Sequence, residues 1–304
     1  MPTPVPEHVP VLLSAVLEGL HLTPNATAID ATLGGGGHTQ AMLEAVAPNG
    51  RVLGIEADHR TLAATRDTLQ SYASRFIAAH GNFRDLRRIA NDNGIGAVDG
   101  ILFDLGLSSI ALADPDRGFS FQNDGSLDMR FDPIHQALTA ADIVNEQSAR
   151  ELATMFREFG EEPVADRIAA HLVATRPFHS TTQLADAIAT IKHRRGRIHP
   201  ATQVFQALRI AVNDEYGAIQ HALPQALDLL VPGGRLAVIT FHSGEDRLVK
   251  QWMKSLSPDR VTIVTKHVII PSRAEQVENP RARSAKLRLL IHQPTPKKSK
   301  QKNV

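Results

Sequence analysis

Asp30-Ala31-Thr32-Leu33-Gly34-Gly35-Gly36-Gly37-His38 sets a carboxylate, four consecutive glycines and an imidazole side by side. Glycines let a backbone come close to a ligand and leave the N–H groups of a following helix uncovered. Glu56 stands about twenty residues further on, the spacing at which a strand-terminal carboxylate accepts hydrogen bonds from both hydroxyls of a ribose. Phe83, in His80-Gly81-Asn82-Phe83, offers a ring to cover an adenine. Asp104 closes the apolar run Gly100-Ile101-Leu102-Phe103 and precedes Leu105-Gly106-Leu107-Ser108-Ser109. A buried strand ending in Asp puts a carboxylate of perturbed acidity at a ligand-facing rim. The set points to a nucleoside site; the competing reading is a glycine-rich turn that binds nothing.

These residues need a parallel sheet to position them. Short β-like runs alternate with amphipathic stretches over the first hundred residues, the pattern of βαβ units. Strands are expected over Ala26–Asp30, Arg51–Glu56, Phe76–His80 and Val98–Asp104, with helices from about Thr39 to Val46 and Arg60 to Tyr72. The alternation then stops. A loop-like stretch from Ile110 to Arg130 gives way to helical spacing between about Ala137 and Thr190, with Leu152, Met155, Phe156 and Phe159 on one face. Arg195–Pro200 is expected as a linker and Thr202–Leu230 as a long helical stretch. Strands return over Gly234–Phe241, Val261–Thr265 and Leu287–His292, with a helix around Glu245–Met253. The expected architecture is an α/β, Rossmann-like domain with a mostly parallel twisted sheet, interrupted by a helical insertion. Its parts are residues 1–110, a helical insertion over 111–204, and 205–304, with a basic, disordered tail from about 295.

The ligand can be narrowed. The dinucleotide pattern G-x-G-x-x-G fits poorly, because Thr39 stands where Gly or Ala belongs. Asp30, before the turn, suits a ligand with a cationic amino-acid end better than a pyrophosphate. Both points favour S-adenosylmethionine over NAD. The chain has no cysteine, which closes thiolate metal sites, disulfides and covalent Cys attack on a pyrimidine ring. No metal is expected: Asp114, Asp116 and Asp124 suggest a calcium loop, but its twelfth position is Gly125 rather than Glu.

Net charge is only +1, so the molecule as a whole does not advertise nucleic-acid binding. Its basic residues are clustered, however, in Lys192-His193-Arg194-Arg195-Gly196-Arg197-Ile198-His199, at Arg281 and Arg283, and in Lys297, Lys298, Lys300 and Lys302. No run approaches the ~18 apolar residues of a membrane span, and the start lacks a signal-peptide pattern, so a cytoplasmic protein is expected.

Taken in order, the motifs closely resemble the RsmH (MraW) family, bacterial methyltransferases of a decoding-region cytosine N4 in 16S ribosomal RNA. The resemblance runs from His8-Val9-Pro10-Val11-Leu12-Leu13 to Leu287-Arg288. It is carried by Gly34–His38, Asp104–Ser109, Arg117-Gly118-Phe119-Ser120-Phe121, Asp128-Met129-Arg130, His199-Pro200-Ala201-Thr202, Phe205–Ile210, Phe241-His242-Ser243, Glu245-Asp246-Arg247 and Asn279–Ser284. It implies S-adenosyl-L-methionine as cofactor, with contacts from Gly36, Gly37, His38, Glu56, Phe83 and Asp104. It also implies 16S ribosomal RNA as partner, within the small ribosomal subunit, for a monomer or homodimer. Two residues depart from the family pattern: Ala111 stands where Gln is usual, and Glu56 where Asp is common.

Methyl transfer to a cytosine amine requires an acceptor for its N–H, since the nitrogen lone pair is delocalised into the ring. Asp104 is the expected catalytic residue: it, or the backbone near Leu105 to Ser108, supplies that acceptor, or Asp104 instead holds only the methionine amine. Phe119, Phe121 and Phe241 are candidates to hold an extruded base, though Phe is more often a core residue. His242 and Ser243 are expected at the base or a phosphate, and Arg281 and Arg283 at phosphates. The alternatives are an amino-methyltransferase on another RNA or on DNA, an NAD-dependent oxidoreductase, and a ribosome-assembly factor that binds without catalysis.

Overall fold

Four aliphatic runs between turns form the first strands, β1 (Thr27–Asp30), β2 (Arg51–Glu56), β3 (Phe76–His80) and β4 (Val98–Asp104). A computed structural model of the chain describes residues 10–107, 109–193 and 199–294. Ser108, residues 194–198 of the basic cluster, His8-Val9 and the C-terminal lysines lie outside the described residues. Three more strands, β5 (Leu230–Thr240), β6 (Val261–Ile263) and β7 (Lys286–His292), complete a seven-stranded sheet of order β3-β2-β1-β4-β5-β7-β6. β1 to β5 pair in parallel, and β7 runs antiparallel to both β5 and β6. In register, Asp30 lies beside Gly54 and Leu102, and Asp104 beside Ile239. Parallel pairing therefore delivers Asp30, Glu56 and Asp104 to one edge of the sheet.

Alternate strand residues point to opposite faces, and both faces are covered. Ile29, Leu53, Ile101, Phe103 and Val238 pack on one side with Leu223 and Leu227 of the helix Glu215–Leu229 and Val249 of the helix Ser243–Ser255. Val52, Leu102, Ala237 and Ile239 pack on the other with Met42 and Leu43 of the helix Gly37–Ala45. Such double coverage is why the strands read as nearly unbroken apolar runs. Val16 and Leu20 join the second face from a helix, Leu13–Leu20, that the sequence did not announce. Its N-cap position is Leu12, at φ 56° and with no capping side chain, so the usual start signal is missing.

The chain divides into two compact units, one of residues 1–56, 62–106 and 218–304, the other of residues 57–61 and 107–217. The second unit is helical: Ala140–Glu146, Ala149–Gly160, Ala165–Thr175, Thr181–Ile191 and Thr202–Asn213 surround Phe156, Leu172, Leu184, Ile188 and Leu208. Capping boxes, Thr139 with Asp142 and Ser148 with Glu151, start the first two of these helices. The unit extends past residue 204, the boundary expected from sequence, because Val204, Phe205 and Leu208 bury themselves in its core. The expected stretch Thr202–Leu230 breaks at Asp214, which adopts φ 45° between two helices. β5 also begins earlier than expected, at Leu230, with a register shift opposite Val98 and Gly100.

Residues 57–61 join the helical unit through one buried ion pair. Arg117 donates to the Asp58 carboxylate and to the carbonyls of Arg130 (2.7 Å) and Phe131 (3.1 Å). Asp58 also accepts from the Arg60 amide (2.9 Å) and lies 3.3 Å from the Thr61 hydroxyl that donates to it. The next residue, Gly118, turns at φ 70°, where an added Cβ would meet the Ser126 carbonyl oxygen at 2.2 Å. Removing one partner of a buried pair strands the other charge, which costs ~3–5 kcal/mol. Urea unfolding of Arg117→Met should lose stability of that order, and Asp58→Asn added to it should restore part of the loss. A loss below ~1 kcal/mol for Arg117→Met would show that the pair does not hold this segment.

Candidate active site

The turn after β1 is built by its own backbone and two threonines. The Leu33 amide donates to Ile55 (2.9 Å) and the Gly36 amide to Leu33 (2.8 Å). Gly34 and Gly36 take φ 50° and 80°; a Cβ on Gly36 would strike the Thr65 methyl at 2.6 Å. Gly36 is the N-cap of the helix Gly37–Ala45 and supplies no capping side chain. Below the turn, Asp30 is 1% exposed; it accepts from the Thr39 hydroxyl (2.7 Å) and the Thr32 amide (3.1 Å). Burial raises its pKa above the ordinary carboxylate range, against the opposing pull of His38 and those hydrogen bonds.

Thr32 ties β1 to β4. Its hydroxyl accepts from the Asp104 amide at 2.6 Å and lies 3.5 Å from Asp30 Oδ1, to which it donates. Glu56, at the end of β2, accepts from the Gly34 amide at 2.9 Å and so fixes the glycine turn against its own strand. Phe83 follows β3 and packs edge-on against Phe103, ring centroids 5.6 Å apart. At the end of β4, the Asp104 side chain is 18% exposed, with Oδ2 3.6 Å from His38 Nδ1. Its Oδ1 makes no hydrogen bond among the described residues. Burial pushes its carboxyl up to about 6, with Asp30 and Glu245 adding to the rise and His38 opposing it. His38 is itself buried, and its Nε2 sits 3.0 Å from the Val11 carbonyl oxygen.

Residues 6–293 match the MraW methylase family. The chain is 53% identical over 301 residues to the ribosomal RNA small subunit methyltransferase H of Thermomicrobium roseum, covering 92% of each. It is 49% identical over 283 residues to the protein of that name from a Cyanothece species, covering 93% of each. The chain belongs to the MraW methylase family. Its cofactor is accordingly S-adenosyl-L-methionine.

The residues of this methylase fit that group. The acidic end formed by Asp30 and Asp104, with one unpartnered oxygen, suits a ligand that carries two positive charges. At Gly34 an added Cβ would meet only the Thr32 carbonyl oxygen, at 3.7 Å, whereas at Gly36 it would strike Thr65 and Leu69, so Gly36 lets the turn pack closely on its own unit. Thr32, Thr39 and Glu245 were not picked out as site residues by their types. Asp30-x-Thr32 was the available signal, a short polar side chain two residues past a buried acid.

The expected substrate residues of the methylase fall in different places. His242 is the N-cap of the helix Ser243–Ser255, in a capping box with Glu245. Its Nε2 lies 3.0 Å from Glu245 Oε1, and Glu245, wholly buried, accepts from the Phe241 amide at 2.8 Å. Ser243 opens that helix, and Asp246 pairs with Arg288 (2.8 Å) and Lys286 (3.5 Å). The Phe241 ring packs over Gly106, where a Cβ would approach it to 2.8 Å. Arg281 and Arg283 lie on the short turn Pro280–Ser284, which Asn279 caps. Phe119 and Phe121 are in the helical unit: Phe119 is buried against Phe131, and Phe121 packs tilted against His199 and edge-on against Phe205, ring centroids 4.7 Å apart in each case. Ala111, also in that unit, is buried and has no polar side chain to offer a ligand.

The raised pKa of Asp104 makes a stability prediction. A carboxyl whose folded value lies above its unfolded value costs stability once it ionises, so the cost is absent below about pH 4 and complete above about pH 6. Asp104→Asn should therefore be more stable than the parent at pH 8, by on the order of 2 kcal/mol. That gain should shrink as the pH is lowered to 5. A gain that did not vary with pH, in cofactor-free thermal melts, would contradict a buried titrating carboxyl.

Proposed function

We propose that this methylase transfers a methyl group from S-adenosyl-L-methionine to the exocyclic N4 amine of a cytosine in the decoding region of 16S ribosomal RNA. Its acceptor would be the RNA of the small ribosomal subunit, met in the cytoplasm; among the described residues no helix is long and apolar enough to cross a membrane. The observation that carries this reading is the carboxylate oxygen of Asp104, unpartnered at the end of β4 beside the glycine turn.

The bound cofactor supplies an electrophilic methyl on a positively charged sulfur. The residues that would hold it are Gly36 and Gly37 through their backbone, Glu56 toward the ribose hydroxyls and Phe83 toward the adenine. Asp104 Oδ1 accepts an N–H of the cytosine amine, which frees the nitrogen lone pair from the ring and aims it. Methyl transfer would leave the S–C electron pair on sulfur and a cationic nitrogen, whose proton Asp104 would take. Holding the amine is the main work, since well-oriented reactants gain ~7–11 kcal/mol over free encounter. Arg281 and Arg283 are proposed at phosphates, and His242 and Ser243 beside the base through the turn they cap. For Phe119 and Phe121, packing in the helical core favours shaping that unit over stacking on a base.

Amino-methyltransferases of DNA and other RNAs often carry Pro-Pro-Tyr or Pro-Pro-Phe after the acid of the fourth strand; here Leu105-Gly106-Leu107 follows Asp104. The test uses purified protein, labelled S-adenosylmethionine and small subunits lacking the modification, with nucleosides identified by mass spectrometry. N4-methylcytidine is expected, with at least a ~10³-fold loss of rate in Asp104→Ala. Label on another base, or undiminished turnover in Asp104→Ala, would refute the assignment. Glu56→Ala should weaken cofactor binding by about tenfold or more, as measured by calorimetry, for loss of hydrogen bonds from a charged acceptor.

A further inference from the structure

The His38 side chain is held in a way that fixes which nitrogen carries hydrogen. Nε2 lies 3.0 Å from the carbonyl oxygen of Val11, and a carbonyl can only accept, so Nε2 bears a proton. Nδ1 then faces Asp104 Oδ2 at 3.6 Å. In a neutral ring with its proton on Nε2, Nδ1 presents a lone pair, and two lone pairs at that distance repel unless a proton belongs to one side. The ring is 6% exposed, so water does little to relieve the repulsion. We infer that His38 and Asp104 hold one exchangeable proton between them, and that His38 is the positioning residue that keeps Asp104 in the anionic form that receives the substrate amine.

The surrounding charges make this pairing matter. Within this unit the Asp104 carboxyl is faced by Asp30 from β1, by His38 from the helix Gly37–Ala45, and by Glu245 from the helix Ser243–Ser255; His242 in turn faces Glu245. Two of those three neighbours of Asp104 are acids, which favour its protonated form, and His38 is the opposing group. A protonated Asp104 cannot accept an amine N–H on the oxygen that carries its proton. The role of His38 thus differs from holding cofactor through backbone groups of the glycine turn: it acts through the charge on Asp104. The inference rests on Asp104 being the amine acceptor, but its electrostatic half concerns the cofactor-free protein alone.

The experiment follows both nuclei of the pair by NMR in the full-length, cofactor-free protein. The carboxyl carbon of Asp104, assigned by its loss in Asp104→Asn, and the ring nitrogens of His38 are titrated from pH 5 to 9.5. In the parent, both should report one coupled transition, with Nε2 protonated throughout. His38→Gln keeps an amide N–H for Val11 and removes the charge that faces Asp104. It should move the Asp104 midpoint upward by about 1–3 pH units. In single-turnover methylation, a shift of about two units leaves about one tenth of the parent's ionised Asp104 at pH 7, so the rate falls about tenfold there and recovers by pH 9.5.

An Asp104 midpoint unchanged in His38→Gln, or a rate loss equal at every pH, would overturn the inference and make His38 a packing residue. If His38→Gln fails to fold, the parent decides: separate, uncoupled transitions for the two residues, or hydrogen on Nδ1 rather than Nε2, would overturn it equally. A coupled NMR transition in a protein that methylates some other atom would retain the proton sharing and overturn instead the choice of cytosine N4.

Discussion

Like charges crowded at one end of a sheet repel, and the carboxyl edge of this sheet collects Asp30, Glu56, Asp104 and the nearby Glu245. Local structure holds each of the others with donors of its own. Asp30 has the Thr39 hydroxyl and the Thr32 amide, Glu56 the Gly34 amide, and Glu245 the amides of Phe241 and His242. Backbone amides and a threonine hydroxyl are fixed partial charges that hold these acids in place. Asp104 receives no backbone amide among the described residues, and has a ring nitrogen at 3.6 Å and one oxygen without a hydrogen bond. The role proposed for Asp104 draws on that oxygen.

Much of this was legible in the sequence because it depends on one register. Strands β2, β3 and β4 begin and end where their apolar runs do, and their terminal acids fall at the sheet edge by chain direction alone. The glycine turn was equally legible, since four glycines between a strand and a helix have few structural uses other than close approach. The helices between residues 140 and 191 could be expected from their 3.6-residue spacing. The end of the helical insertion could not, because Phe205 and Leu208 look the same whether they face their own unit or the sheet.

What stayed hidden was hidden for physical reasons. Helix Leu13–Leu20 has no capping side chain to mark its start. His242 reads as a base- or phosphate-binding group from its place after a strand, yet its ring is engaged in capping the helix that follows, a role usually given to Ser, Thr, Asp or Asn. Asp58 and Arg117 are far apart in sequence, so no local pattern announces a buried pair that binds five residues after β2 to the helical unit. The antiparallel placement of β7 between β5 and β6 is likewise a long-range choice with no signature in its own residues.

That placement of β7 has a consequence for how the molecule behaves among other chains. Because β7 turns inward to pair with β5, the strand left at that margin of the sheet is β6, only three residues long. An exposed margin invites strand addition from another polypeptide in proportion to the length of unpaired backbone it presents. Here the template spans about one hydrogen-bonding repeat, although Ile263 and Val264 beside it are apolar and exposed. Aggregation through this edge is therefore limited by geometry rather than by charge, and its surface can keep hydrophobic residues that a longer edge would have to exchange for lysine or proline.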